Sequence, residues 1–173
     1  YHVLYLVTLS KFDTALAGSL SREILGDPAN KSPALVAQAA GIVFGESKLL
    51  AETEAVLEHR ALVPLIEQSL HEIEANWFEK NRSSYAMLAC ILGFCYESLD
   101  DDISAREAFS RGLNRDPKNE SLLTARGMLL YGQDAAAVTD LLAAVNLRSP
   151  VVWPYFFLSH HYLEVSKFRE CVK

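Results

Sequence analysis

His160-His161, followed by Glu164, sets a histidine and a carboxylate one helical turn apart, a spacing that can hold a metal ion. Adjacent histidines point to different faces of a helix, so only one of the two can share a face with Glu164. One histidine in open contact and the other packed within a helix hairpin is the plainer expectation. His71-Glu72-Ile73-Glu74 lacks the second histidine of a metalloprotease helix. Cys90 and Cys95 are five residues apart, so they do not share a helical face. With no positive neighbour expected to lower a thiol pKa, both read as packing residues. Neither G-x-x-x-x-G-K-[ST] nor G-x-G-x-x-G occurs, so no phosphate-cradling loop is expected. Catalysis needs a convergent set of polar groups, which the sequence does not offer. No catalytic residue, metal or cofactor is expected, and the chain does not read as an enzyme.

The elements that would carry these residues are helical. Half of the 173 residues are apolar, enough for a core and too many for a disordered tail. The net charge of -6 argues against a nucleic-acid partner, which would need clustered Lys and Arg. The excess acid lies early: six basic and eleven acidic residues in 1–80, against ten and eleven in 81–173. The acidic run from Glu46 to Glu58 reads as a solvated helix face, with a basic partner as the other reading. Three cysteines without a C-x-x-C pair suggest reduced thiols and a cytoplasmic location. No apolar run reaches the roughly 18 residues needed to cross a bilayer, and no membrane role is expected. A start at Tyr1 and a stop within a helical pattern suggest a piece of a longer protein.

Periodicity places the helices. Tyr85 to Lys118 reads as a hairpin. Its first helix carries Ala89, Leu92, Gly93 and Tyr96 on one face. The second, opened by Asp100-Asp101-Asp102, carries Ile103, Ala105, Ala108, Phe109 and Leu113, and stops at Asp116-Pro117. Leu122–Tyr131, a turn at Gly132-Gln133-Asp134, and a helix over 135–147 closed by Ser149-Pro150 repeat the plan. Trp153–Leu163, a turn near Ser166 and a helix opening at Phe168 begin it again. Ala105, Val138 and Cys171 are 33 residues apart, as are Phe109 and Leu142, and Pro117 and Pro150. Earlier, Phe12–Leu25 closed by Asp27-Pro28 reads as one helix, and Ser32-Pro33 opens another through Ala40–Phe44. Residues 45–60 read as an acidic helical extension. A helix from about Val63 to Trp77 follows, with Pro64 tolerated only near its start, and residues 80–84 join it to the regular repeats.

Leu92-Gly93-x-x-Tyr96, Ala105-x-x-x-Phe109 and Pro117 resemble the tetratricopeptide repeat, with Ala89 where that family has its leading tryptophan. A second unit keeps Gly127, Leu130, Leu142 and Pro150, departs at Arg126 and Val138, and is one residue short in its turn. A third has Leu158-Ser159-x-x-Tyr162 and Phe168-x-x-Cys171. The resemblance implies an all-α fold: a right-handed superhelical stack of antiparallel helix pairs. Its parts would be a partial pair over 1–31, an extended divergent pair over 32–82, repeats over 83–119 and 120–151, and a truncated repeat over 152–173. Gly93 and Ala105 would be points of close helix approach.

In this family the first helix of each pair lines a concave face. The resemblance therefore places Met87, Cys90, Phe94 and Glu97, then Thr124, Met128 and Tyr131, then Trp153, Phe156 and His160 along one groove. Such an apolar, aromatic surface suits an apolar peptide or an amphipathic helix. The expected function is a protein-binding scaffold or adaptor. A regulatory or oligomerising arm of a larger enzyme is the alternative, and the groove could also be filled by the chain itself or by self-association. Some members clamp acidic chaperone tails with Lys, Asn and Arg. The matching places here are Cys90, Phe94, Thr124 and Phe156, so an apolar rather than acidic-tailed partner is expected.

Overall fold

The computed structural model describes residues 6, 10–11, 13–27, 32–48, 50–76 and 78–165. Every regular element among them is helical, and none of the helices is long and apolar enough to cross a membrane. The chain divides into two compact units, Tyr1–Ala108 and Phe109–Lys173.

In the first unit, α1 spans Thr14–Gly26, and the Asp13 side chain caps it by accepting from the Leu16 amide at 3.0 Å. Helix α2 spans Pro33–Ser47, with Pro33 in the first turn where its missing N–H costs no helical bond. Helix α3 runs unbroken over Glu52–Asn76, a short 3-10 turn covers Phe78–Lys80, and α4 spans Arg82–Ser98. Helix α2 touches α1, α3 and α4. Val36, Ala40 and Val43 of α2 meet Ile66, Leu70 and Ile73 of α3 and Leu88, Leu92 and Cys95 of α4 in one apolar cluster. Each large side chain so buried contributes roughly 1.5–3 kcal/mol. A smaller cluster joins Leu6, Leu35 and Ala39 with Leu20 and Ile24.

Two expectations are corrected here. Residues 52–60 of the extension and the helix expected from Val63 are one 25-residue helix, with Pro64 at its middle, while residues 45–47 end α2. Proline removes its own donor and frees the carbonyl four residues back. Pro64 and Arg60 are both exposed, so water can satisfy that group. The acidic run is only partly a solvated face. Arg22 of α1 bonds Glu46 at 3.1 Å and Glu58 at 2.6 Å, clasping both sides of the turn between α2 and α3. The two carboxylates, Glu58 first, raise the pKa of the Arg22 guanidinium.

Helix α5, Asp102–Arg115, begins in the first unit and ends in the second. Asp101 opens it by accepting from the Ser104 amide at 3.1 Å, which with the Ser104 hydroxyl lowers the carboxyl pKa. Ala105, Ala108, Phe109 and Leu113 are buried, but Ile103 is 76% exposed. At about 100° per residue, position 103 lies roughly 120° round the helix from the centre of the face shared by 105, 109 and 113.

In the second unit, α6 spans Glu120–Leu129, with Asn119 accepting from the Leu122 amide at 3.2 Å. Gly132, at φ +79°, makes a turn that side chains disfavour. Helices α7, Ala136–Asn146, and α8, Trp153–Glu164, follow, and α6 touches both. Ala137, Leu141 and Ala144 are the fully buried residues of α7, whereas Leu142 is 37% exposed. The buried Ala137 and Leu141 thus lie 32 residues past the buried Ala105 and Phe109, not 33. The expected turn at Ser166, the helix from Phe168, Cys171, Phe12, Pro28 and Trp77 lie outside the described residues.

Candidate functional site

Helix α8 places residues 153, 156, 157, 160 and 164 along one stripe, by the 3–4 residue spacing of a helix face. Trp153 meets Phe156 edge to face at 6.2 Å, and Phe156 meets Phe157 at 5.6 Å. Tyr131, just past the end of α6, lays its ring against Phe157 at 4.9 Å and His160 at 6.1 Å. Such contacts between ring edges and faces hold aromatic side chains in place without burying them. Trp153 remains 51% and Phe156 56% exposed, and Val152 and Tyr155 beside them are exposed as well.

The polar end of this row is a linked set. The Tyr131 hydroxyl lies 3.0 Å from His160 Nδ1 and donates to Glu164 Oε2 at 3.3 Å. His160 Nδ1 is itself 3.5 Å from Glu164, the same-face pairing that the spacing suggested. Partial burial first, and then the Glu164 charge, raise the Tyr131 pKa, so the phenol stays protonated. His161 turns to the other side. There it lines a cleft of about 270 Å³ with Tyr131, Gln133, Asp134, Val138 and Glu164. Among the described residues no three metal-ligating side chains gather.

The other residues expected on the groove lie on α6 and α4. Thr124 is buried, and its hydroxyl has no hydrogen-bond partner among the described residues; Met128 is half-buried on the same α6 face. Met87, Cys90 and Phe94 belong to the first unit, and α2 packs against the helix that carries them. The Met87 sulfur accepts from Gln38 Nε2 at 3.9 Å, and Phe44 stacks on Phe94 at 6.0 Å. Burial raises both Cys90 and Cys95 thiols to about 12. Contrary to expectation, Cys90 does feel a positive neighbour, Lys48, but burial outweighs it.

Sequence reasoning missed two sites. Arg126, where the expected repeat would place a leucine, makes a forked ion pair instead. Its Nε and Nη2 donate to Asp140 Oδ2 at 2.7 Å and Oδ1 at 2.9 Å, and Nη1 donates to Ser110 at 3.1 Å. The departure from leucine was the signal, with Asp140 14 residues on. The second site is His59, with Nε2 2.6 Å from Ser47 Oγ and Nδ1 2.6 Å from Ser98 Oγ. A serine beside an imidazole is a nucleophile-and-base arrangement. Here Ser47 is fully buried and His59 only 6% exposed, so no substrate reaches it. Neither partner is near His59 in sequence, so no local motif announces it. Compared with known proteins, the sequence matches no family model and no curated relative.

Proposed function

We propose that this chain is a run of tetratricopeptide-like helix pairs, wound as a right-handed superhelix, that acts as a protein-binding scaffold in the cytoplasm. The occupant of its docking face is an amphipathic helix or apolar peptide of another protein. The observation that carries this reading is the row Trp153–Phe156–Phe157–Tyr131–His160, ordered by ring contacts yet half open to solvent. Burying two or three such rings contributes several kcal/mol, at roughly 1.5–3 each, enough to anchor a short helix. The acids Asp134 and Glu164 at the cleft beyond His161 suit a basic residue at one end of that helix, and they disfavour an acidic tail.

Two further observations support the repeat. In each unit a first helix touches both its hairpin partner and the next first helix: α2 with α3 and α4, α6 with α7 and α8. Gly41 and Gly127 stand at points of close approach, where an added Cβ would lie 2.5 Å from Met87 Cε and 2.8 Å from Leu141 Cγ. The raised thiols of Cys90 and Cys95 suit a reducing compartment.

The test uses Trp153 as probe. A Trp77→Phe background leaves it the single indole of the chain. Proteins captured by the parent are identified, and their apolar helical segments are titrated as peptides while indole emission is followed. A blue shift that saturates, and that Phe156→Ala weakens about tenfold or more, is the expected result. Identical capture by parent and by a Trp153→Ala, Phe156→Ala double variant overturns the assignment. Concentration-dependent pairing of the chain, lost in the double variant, would assign the face to self-association instead.

A further inference from the structure

Two helices of the first unit end at one imidazole. Ser47 is the last residue of α2 and Ser98 the last of α4, and each serine oxygen lies 2.6 Å from a ring nitrogen of His59 in α3. Each hydroxyl also donates backward to a carbonyl of its own last turn, Ser47 to Phe44 and Ser98 to Cys95, both at 2.7 Å. The Lys48 amide, four residues past Phe44, goes to Glu46, and the Leu99 amide, four past Cys95, goes to Tyr96 and Glu97.

Counting hydrogens exposes the device. The four contacts need four hydrogens. Each serine has one and a neutral imidazole has one, which makes three; an imidazolium supplies the fourth. We propose that the Ser47–His59–Ser98 bridge is a proton-operated latch, which closes when the imidazole gains its second proton. With the ring neutral, one serine must turn its hydrogen from a helix-end carbonyl to the bare ring nitrogen. With the ring charged, both nitrogens donate, both serines keep their carbonyls, and the ends of α2 and α4 are joined through α3.

The surroundings of the ring are divided. The carboxyl ends of α2 and α4 carry partial negative charge, which favours the cation. From α3, Glu58 favours it too, although Arg22 of α1 holds that carboxylate. Lys48, past the end of α2, opposes it, with its ammonium 5.1 Å from the Phe44 ring that leans on His59 at 4.9 Å. From α4 the described partner is Ser98. Burial is the largest influence and holds the ring below the ordinary histidine range. The latch therefore closes in mild acid. A depressed folded-state value means that stability falls as pH drops below the unfolded histidine value, about 6.5, and that this loss ends once the folded ring is charged.

Side-chain nitrogen NMR of the full chain, from about pH 8 to about pH 5, tests this, with the His59 signals assigned by their loss in His59→Gln. The expected result is one transition to a ring with both N–H groups protected from exchange, while helicity is unchanged. Ser47→Ala and Ser98→Ala each leave two contacts and two hydrogens for a neutral ring. Each should weaken proton binding about tenfold, moving the transition down by about one pH unit. The proposal is overturned if His59 stays a single neutral tautomer until the fold is lost. It is equally overturned if the ring titrates but neither serine variant moves the transition.

Discussion

Leu92 precedes Gly93 in α4 of the first unit, and Arg126 precedes Gly127 in α6 of the second. Leu92 is fully buried in a largely aliphatic cluster from α2, α3 and α4 with Ala108 of α5. Arg126 replaces that seam with a fork onto Asp140 and a further bond to Ser110. Both keep a first helix beside its neighbours, but by different means. An aliphatic seam is non-directional and tolerates small shifts. A forked pair fixes geometry and fails badly when one partner is lost, because the other is left charged and uncompensated.

The most damaging way to break this comparison is Asp140→Ala. It should cost about 3 kcal/mol in urea unfolding, the lower end for a broken buried pair because Arg126 keeps some access to water. Replacing both partners with leucine, which remakes the seam found at Leu92, should return stability to within about 1 kcal/mol of the parent. If the double variant is as unstable as the single one, the two seams are not interchangeable solutions.

The two glycine contacts sharpen the contrast at smaller scale. At Gly127 a methyl would meet the Leu141 branch at 2.8 Å and the Ala137 carbonyl at 3.2 Å, a backbone atom that cannot swing away. At Gly41 it would meet only the terminal methyl of Met87, at 2.5 Å. Thermal melts should show a loss of about 2 kcal/mol for Gly127→Ala. Gly41→Ala should stay within about 1 kcal/mol of the parent, because Met87 can move and alanine favours the helix.

The covered face of α4 gives a pH dependence of its own. Folding raises the Cys90 and Cys95 thiols to about 12. A thiol at about 8.5 in the unfolded chain ionises first, so this stability is whole below that value and fades as pH rises towards 12. Unfolding free energy should fall by about 1 kcal/mol per thiol by about pH 9.5, and Cys→Ser variants should flatten the slope. On the open face, Trp153→Ala should change stability by less than about 0.5 kcal/mol while weakening partner capture, since the indole is half exposed.

Helix positions were legible because proline, glycine and acidic caps punctuate an otherwise clear 3.6-residue period. Asp101, Pro33, Gly132 and Pro117 all stand at or beside helix ends. Two errors came from trusting spacing over sterics. The 33-residue echo drew attention to Leu142, whereas Leu141 is the buried one. Pro64 marks no boundary, because an exposed proline interrupts only one bond on the wet side of a helix. Of the site, the shared helix face of Trp153, Phe156 and His160 was readable from their spacing alone. The burial of Thr124, and the packing of α2 against the helix bearing Met87 and Phe94, were not. Those depend on which helix lies over which, and single-sequence periodicity carries no such information. His59 was invisible for the same reason, its two partners being 12 and 39 residues away.

The Arg22 clasp bears on how this fold can drift. One guanidinium grips Glu46 just before a bend and Glu58 about two turns into the helix after it, so the connecting length is measured, not merely tolerated. Adding or deleting a single residue within α3 ahead of Glu58 would turn that carboxylate by about 100° around its axis and out of reach. Most connections between helices accept such edits freely. This one is gauged from outside, by a helix that precedes both of the elements it spaces.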